Sequence, residues 1–134
     1  MNKWKNCAIP ALLLHVCIGS VYCWSLLKDA IADELNTTSS NIEISFSLAI
    51  FFLGMSAAFL GGMVEKNVKK SAWISTLCFT IGLIGSCIAM SISSTISFVL
   101  SYGVLMGIGL GIGYLTPIKT LMIWFGKNKG MAAG

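Results

Sequence analysis

The chain contains no arginine, one histidine (His15) and two prolines, Pro10 and Pro117. Charge of either sign is scarce. Nine lysines and five acids make up 10% of its 134 residues, where an average soluble domain carries about 25%. Its five cysteines, Cys7, Cys17, Cys23, Cys78 and Cys87, form no C-x-x-C pair and lie in or beside apolar runs. They read as small buried apolar residues. Each scarcity excludes something. Without clustered Cys and His ligands no metal site is expected. Without a nucleophile–base set or a phosphate loop, neither catalytic residues nor a cofactor is expected, and the chain does not read as an enzyme. The net charge of +4 does not mark a nucleic-acid surface, because the lysines sit in short clusters beside apolar runs. Such lysines normally report membrane topology.

Apolar residues, by contrast, make up 56% of the chain, and the mean hydropathy is +0.84. A soluble fold this small keeps too much wet surface to hide them. Four uncharged or nearly uncharged runs stand out: Cys7 to Leu27, Ile44 to Val64, Ser71 to Met90, and about Ile96 to about Ile118. A run of roughly 20 residues spans about 30 Å as a helix, the thickness of a bilayer's hydrocarbon core. The first run is too long for a signal-peptide core, and no small-x-small cleavage site follows it. Pro10 falls in its first turn, where a missing N–H is harmless. Pro117 removes a hydrogen bond to Gly113 and is expected to kink or end the fourth span. The expected fold is all-α and integral to a membrane, with four transmembrane helices.

The lysines then sort by side. Lys3 and Lys5 precede the first run. Lys66, Lys69 and Lys70, with Glu65, lie between the second and third, and Lys127 and Lys129 follow the fourth. The other two links hold Lys28 and the remaining acids, Asp29, Asp33, Glu34 and Glu43. The positive-inside rule predicts a cytoplasmic N-terminus. Lys119 is the exception. Near the inner face it is expected to snorkel, the alternative being a functional cation. The Asn36-Thr37-Thr38 sequon reads as chance in so short a loop.

Small residues recur at helical spacing. Gly54, Ala58 and Gly62 share one face of the second run, Gly82 and Ser86 one face of the third, and Gly103, Gly107 and Gly111 one face of the fourth. Tyr114 falls within about 20° of Gly103 on an ideal helix. The stretch GIGLGIGY is not a nucleotide loop, because G-x-G-x-x-G fails at Ile112 and at Tyr114. In the first run His15, Gly19 and Tyr22 form one stripe. An intramembrane ionisable group is a functional candidate; a neutral histidine bonded to a neighbouring helix is the other reading. Trp24 points to the opposite face and suits an interfacial belt. Glu65, close to a helix C-terminus, opposes the dipole and needs a compensating cation or another helix's N-terminus. Lys66, Lys69 and Lys70 can supply the cation.

Gly61, Glu65, Lys66, Lys69 and Lys70, between the second and third runs, resemble motif A of the major facilitator superfamily. Val68 stands where that motif has glycine, and lysines stand for its arginines, which loses the bidentate fork. GSVYCWS (Gly19 to Ser25), YGVLMGIGLGIGYLTP (Tyr102 to Pro117) and WFGKNKGMAAG (Trp124 to Gly134) resemble the oxalate/formate antiporter group and its monocarboxylate-transporter relatives. The resemblance runs over nearly the whole chain. It implies the first four of twelve helices, with the remaining helices as a partner beside the lipid bilayer. It also implies transport of a small organic anion, such as oxalate, formate or a monocarboxylate, by alternating access in the cell membrane. On it, Tyr22, Tyr114 and His15 line a substrate cavity, and Gly61, Glu65, Lys66, Lys69 and Lys70 form a gating latch. The alternative is a complete small four-helix membrane protein with a structural or interaction role. A small multidrug exporter would need a carboxylate buried in a span, and all five acids lie in loops or at helix ends.

Overall fold

A computed structural model of the chain describes residues 4–126 and Gly130. Lys3, Lys127, Lys129 and most of the segment after Phe125 lie outside the described residues. Four long helices carry the fold: α1 (Trp4–Glu34), α2 (Ser39–Lys66), α3 (Val68–Ser91) and α4 (Thr95–Trp124). Each is long and apolar enough to cross a membrane. The helices outrun the apolar runs at both ends. The first two continue several residues into sequence that hydropathy alone assigns to polar loops, because a helix satisfies its own backbone in water as well as in lipid.

The links are correspondingly short. After α1, Asn36 takes a left-handed conformation (φ 50°). The Thr37 amide then donates to the Ala32 carbonyl and the Asn36 amide to that of Asp33. That pairing closes the helix as a Schellman turn. Ser93 (φ 51°) does the same after α3, with Ser94 donating to Ala89 and Ser93 to Met90. Between α2 and α3 there is one non-helical residue, Asn67. Its amide donates to the Met63 carbonyl, ending α2, and its side-chain oxygen accepts from the Lys70 amide at 3.0 Å, starting α3. The expected lysine-rich loop is thus mostly helix.

Three stretches depart from α geometry. Trp4–Ala8 and Val99–Met106 are π-helical, and Ser20–Cys23 is a 3₁₀ turn. Pro10 lies just past the first π segment, at the start of the α-helical part of α1. Pro117 neither ends nor interrupts α4, which runs on to Trp124. On either side of it, buried Thr116 and half-buried Thr120 donate their hydroxyls to the Ile112 and Thr116 carbonyls, at 2.8 Å each.

Helix α4 is the centre. Half of its most apolar window is buried in the bundle, against 22%, 17% and 22% for α1, α2 and α3. Its glycines make this possible. A Cβ at Gly103 would meet Ser45 and Leu48 of α2, one at Gly107 would meet Ala49 and Phe52, and one at Gly111 would meet Leu53 and Ser56. The opposite row, Gly109 and Gly113, packs on Ser75 and Phe79 of α3. Helix α3 returns the fit, since a Cβ at Gly82 would lie 2.7 Å from the Met106 nitrogen. Ser75 Oγ donates across the seam to the Gly109 carbonyl at 2.7 Å. Two corrections follow. The expected small face Gly54–Ala58–Gly62 is exposed, with open space around Gly54 and Gly62. The packing row of α2 is instead Ile42, Ser45, Ala49, Ser56 and Val64. Trp24 is no belt residue. It is 5% exposed and packs on Phe46, Phe98 and Tyr102.

Candidate functional site

The residues singled out in the sequence fall into two places. The first is the seam between α1 and α4, which run antiparallel. At Gly113 the missing side chain lets α1 approach, so that Ile18 Cδ1 lies 3.4 Å from where a Cβ would be. One turn earlier on α1, His15 then meets Tyr114, with ring centroids 5.5 Å apart and planes at 71°. This edge-to-face contact is a favoured aromatic geometry. His15 is half-buried and Tyr114 is 44% exposed. Tyr114 does not share the row of Gly103, Gly107 and Gly111 against α2. Tyr114 follows Gly113, the residue that α1 approaches, and meets His15 of α1.

Tyr22 lies seven residues beyond His15 on α1, inside the 3₁₀ turn Ser20–Cys23, and is 67% exposed. The structure therefore joins His15 to Tyr114 in contact and leaves Tyr22 on the open surface of the same helix.

His15 has a defined hydrogen-bond role. Its Nδ1 lies 3.0 Å from the Ala11 carbonyl oxygen. A carbonyl oxygen can only accept, so Nδ1 carries the hydrogen and donates. In the neutral ring this leaves Nε2 as an acceptor.

The second place is the lysine-rich end of α2 and α4, which run parallel. Gly61 faces Leu115, whose Cδ1 is 3.5 Å from the position of a Cβ. One turn on, Lys119 Nζ donates to Glu65 Oε1 at 2.5 Å. This corrects two expectations. The cation that answers Glu65 is Lys119, not Lys66, Lys69 or Lys70, all of which are exposed. Lys119 does not simply snorkel, since its ammonium is held by a carboxylate on the neighbouring helix. The pair serves both partners, because Glu65 opposes the dipole at the end of α2 and Lys119 sits in an apolar helix. Sequence reasoning missed the pairing because it needs to know that α2 and α4 are parallel neighbours. The usable signal was that Glu65 is the one acid among lysines and Lys119 the first charge after the fourth apolar run.

The pair makes a direct prediction. Glu65→Lys puts two ammonium groups together and is expected to lower the amount of folded protein in the membrane, and the double variant E65K/K119E to restore it. Membrane-fraction immunoblots and size exclusion in detergent measure both; a double variant no better than the single would show that the contact is not a pair.

Among the described residues no group of three His, Cys, Asp or Glu side chains is placed to hold a metal ion. The cysteines are free, with Cys7 buried and Cys17, Cys23 and Cys87 exposed.

Comparison with known proteins adds one relative. The chain is 29% identical over 131 residues to the protein described as "Uncharacterized MFS-type transporter YhjX" of Escherichia coli (strain K12). The match covers 97% of this chain and 32% of that protein, so the chain spans about a third of its relative's length. No protein-family model matches the chain, and no solved structure matches it.

Proposed function

We propose that this chain forms four helices of a major facilitator superfamily transporter and that the transporter moves a small organic anion by alternating access. The observation that carries the proposal is the similarity to an MFS-type transporter along 97% of the chain. It is supported by a bundle whose glycine seams bring α2, α3 and α4 into register. In this reading the further helices of the transporter complete the site, the protein lies in the cell membrane, and the lysine-rich ends of the helices face the cytoplasm.

The substrate class is a carboxylate, such as oxalate, formate or a monocarboxylate. His15, Tyr114 and Tyr22 are the polar rings that α1 and α4 offer to it, and the contact of His15 with Tyr114 supports a shared wall. At the other place Gly61, Glu65, Lys66, Lys69 and Lys70 form the latch. The Glu65–Lys119 pair holds its acid against α4, and the exposed lysines remain available to a facing helix.

Uptake by proteoliposomes containing the complete gene product tests this. Labelled oxalate, formate or lactate is expected to accumulate. Tyr114→Phe keeps the ring and removes the hydroxyl, and is expected to raise KM about tenfold, the weight of a hydrogen bond to a charged group. Uptake of sugars or amines, with none of these anions taken up, would overturn the substrate class.

A further inference from the structure

We infer that the exposed face of α3, from Lys69 and Lys70 at the α2–α3 turn along the apolar stripe headed by Trp73, is a docking site for an anionic phospholipid. The inference goes beyond the transport reading and does not depend on a carboxylate substrate. Its first ground is charge left unbalanced. At the lysine-rich end the one acid among the described residues is Glu65, and Lys119 holds it. Lys66, Lys69 and Lys70 are exposed, and among the described residues their ammonium groups have no ion pair. Lys69 and Lys70 also stand in the first turn of α3, which contains no acid. There the helix dipole is itself positive and adds to their charge. An anion from outside the chain relieves both.

The second ground is the order of chemistry along that face. Trp73 follows Lys69 and Lys70 at helical spacing, so the three are neighbours on the surface of α3. Its ring is 64% exposed. Leu77, Ile81, Ile84 and Ile88 continue the stripe, each more than half exposed. The opposite face, with Ser75, Gly82 and Ser86, is buried. From Trp73 to Ile88 the stripe runs about 22 Å, more than one leaflet's share of a hydrocarbon core of about 30 Å. Cation, interfacial aromatic and aliphatic groups thus follow one another as phosphate, glycerol and acyl chain do in a phospholipid. Tryptophan suits the glycerol level.

Charge complementarity selects the occupant. Free phosphate would use the lysines and leave the stripe below them idle. A zwitterionic lipid would bring its own cation to the lysines. An anionic phospholipid answers both parts. Its phosphate meets Lys69 and Lys70, and Lys66 adds its charge from across the single-residue turn at Asn67. Lysine is adequate here, because a point charge on a flexible stem binds phosphate without a bidentate fork. The other end of the bundle offers no equivalent: its lysine, Lys28, is bound to Glu43 at 2.7 Å and stands among acids. The site therefore selects the leaflet at the lysine-rich end.

The test uses the complete gene product in phosphatidylcholine nanodiscs. About one lipid in ten is replaced by phosphatidylglycerol brominated on its acyl chains or, in a matched sample, by brominated phosphatidylcholine. Bromine quenches the fluorescence of a tryptophan it touches, and the quenching absent from Trp73→Phe is that of Trp73. Brominated phosphatidylglycerol is expected to quench Trp73 at least about fivefold more than brominated phosphatidylcholine, the weight of one lysine at an anionic surface. The preference is expected to vanish in K69Q/K70Q, to persist in K69R/K70R, and to weaken at high salt. Equal quenching by the two lipids would overturn the inference, leaving a plain lipid-facing helix. So would a preference unchanged in K69Q/K70Q. Quenching by neither lipid would show that another helix covers the face, and would overturn it too. Displacement by inorganic phosphate at about 50 mM, beyond that of chloride at matched ionic strength, would reveal a site for small anions in place of a lipid site.

Discussion

Gly111→Leu is expected to take the bundle apart. Even the first atom of a side chain at this position would land on the Leu53 carbonyl and Ser56 Oγ of α2. Both lie on the wall of a neighbouring helix, so no rotamer of the new residue avoids them. Overpacking a well-packed interior costs about 1–3 kcal/mol where side chains can yield. Here a backbone must yield, and the cost is expected at or above the top of that range. The matched control is Gly54→Leu, whose Cβ meets nothing within 4 Å. Chemical unfolding in detergent, followed by tryptophan fluorescence, reads the difference. Loss of stability in G111L with an unchanged G54L is the expected pattern. Equal loss in both would mean that α4 does not lean on α2 along its glycine row.

Trp24→Ala is expected to be nearly as damaging, for the opposite reason. Trp24 joins α1 to both α2 and α4. Its ring stacks on Phe46 at 5.8 Å and lies 4.9 Å from Tyr102 and 6.5 Å from Phe98. Tyr102 and Phe98 stack on each other at 5.5 Å. Removing a buried Trp costs about 3–5 kcal/mol. Trp24→Phe separates the ring from its polar group. Among the described residues, Trp24 Nε1 and Ser45 Oγ are buried with no hydrogen-bond partner. An unsatisfied buried group carries a desolvation cost of about 1–3 kcal/mol. The lost area of W24F is therefore offset by the loss of that N–H, and the variant is expected within about 1.5 kcal/mol of wild type. A W24F as unstable as W24A would show that the indole N–H is bonded after all.

The number of helices and their order along the chain could be read directly, because lipid selects long uncharged runs. Helix ends could not, since α1 and α2 extend past their apolar runs without violating any rule of hydropathy. The glycine row of α4 was visible as a face, and so was the small face of α3 at Gly82 and Ser86. The row of α2 was not. Gly54, Ala58 and Gly62 have the ideal spacing for close packing yet lie exposed, while the packing row uses Ser45, Ala49 and Ser56. In a membrane protein the outside is as apolar as the core, so periodicity shows which residues share a face and not which face is inside. The same limit hid Trp24, whose ring suits an interface and a core equally.

The polar residues were legible as a set and not as pairs. His15 and Tyr114 were both candidates, but their meeting depends on the smallness of Gly113, which lets α1 approach α4. Glu65 was known to need a cation, and the near lysines in sequence were the obvious source. Helix geometry points those three lysines elsewhere and brings Lys119 from another helix.

The central place of α4 has a consequence for time as well as space. It enters the chain after α2 and α3, yet it is the helix that each of them chiefly packs against, through Gly103, Gly107 and Gly111 on one side and Gly109 and Gly113 on the other. Until α4 is made, the packing rows of its two neighbours have lipid for company. A ribosome must therefore deliver three helices into the bilayer as loosely held companions. The fourth arrives as the keystone, and the order of synthesis leaves the assembly of these four helices to the fourth span.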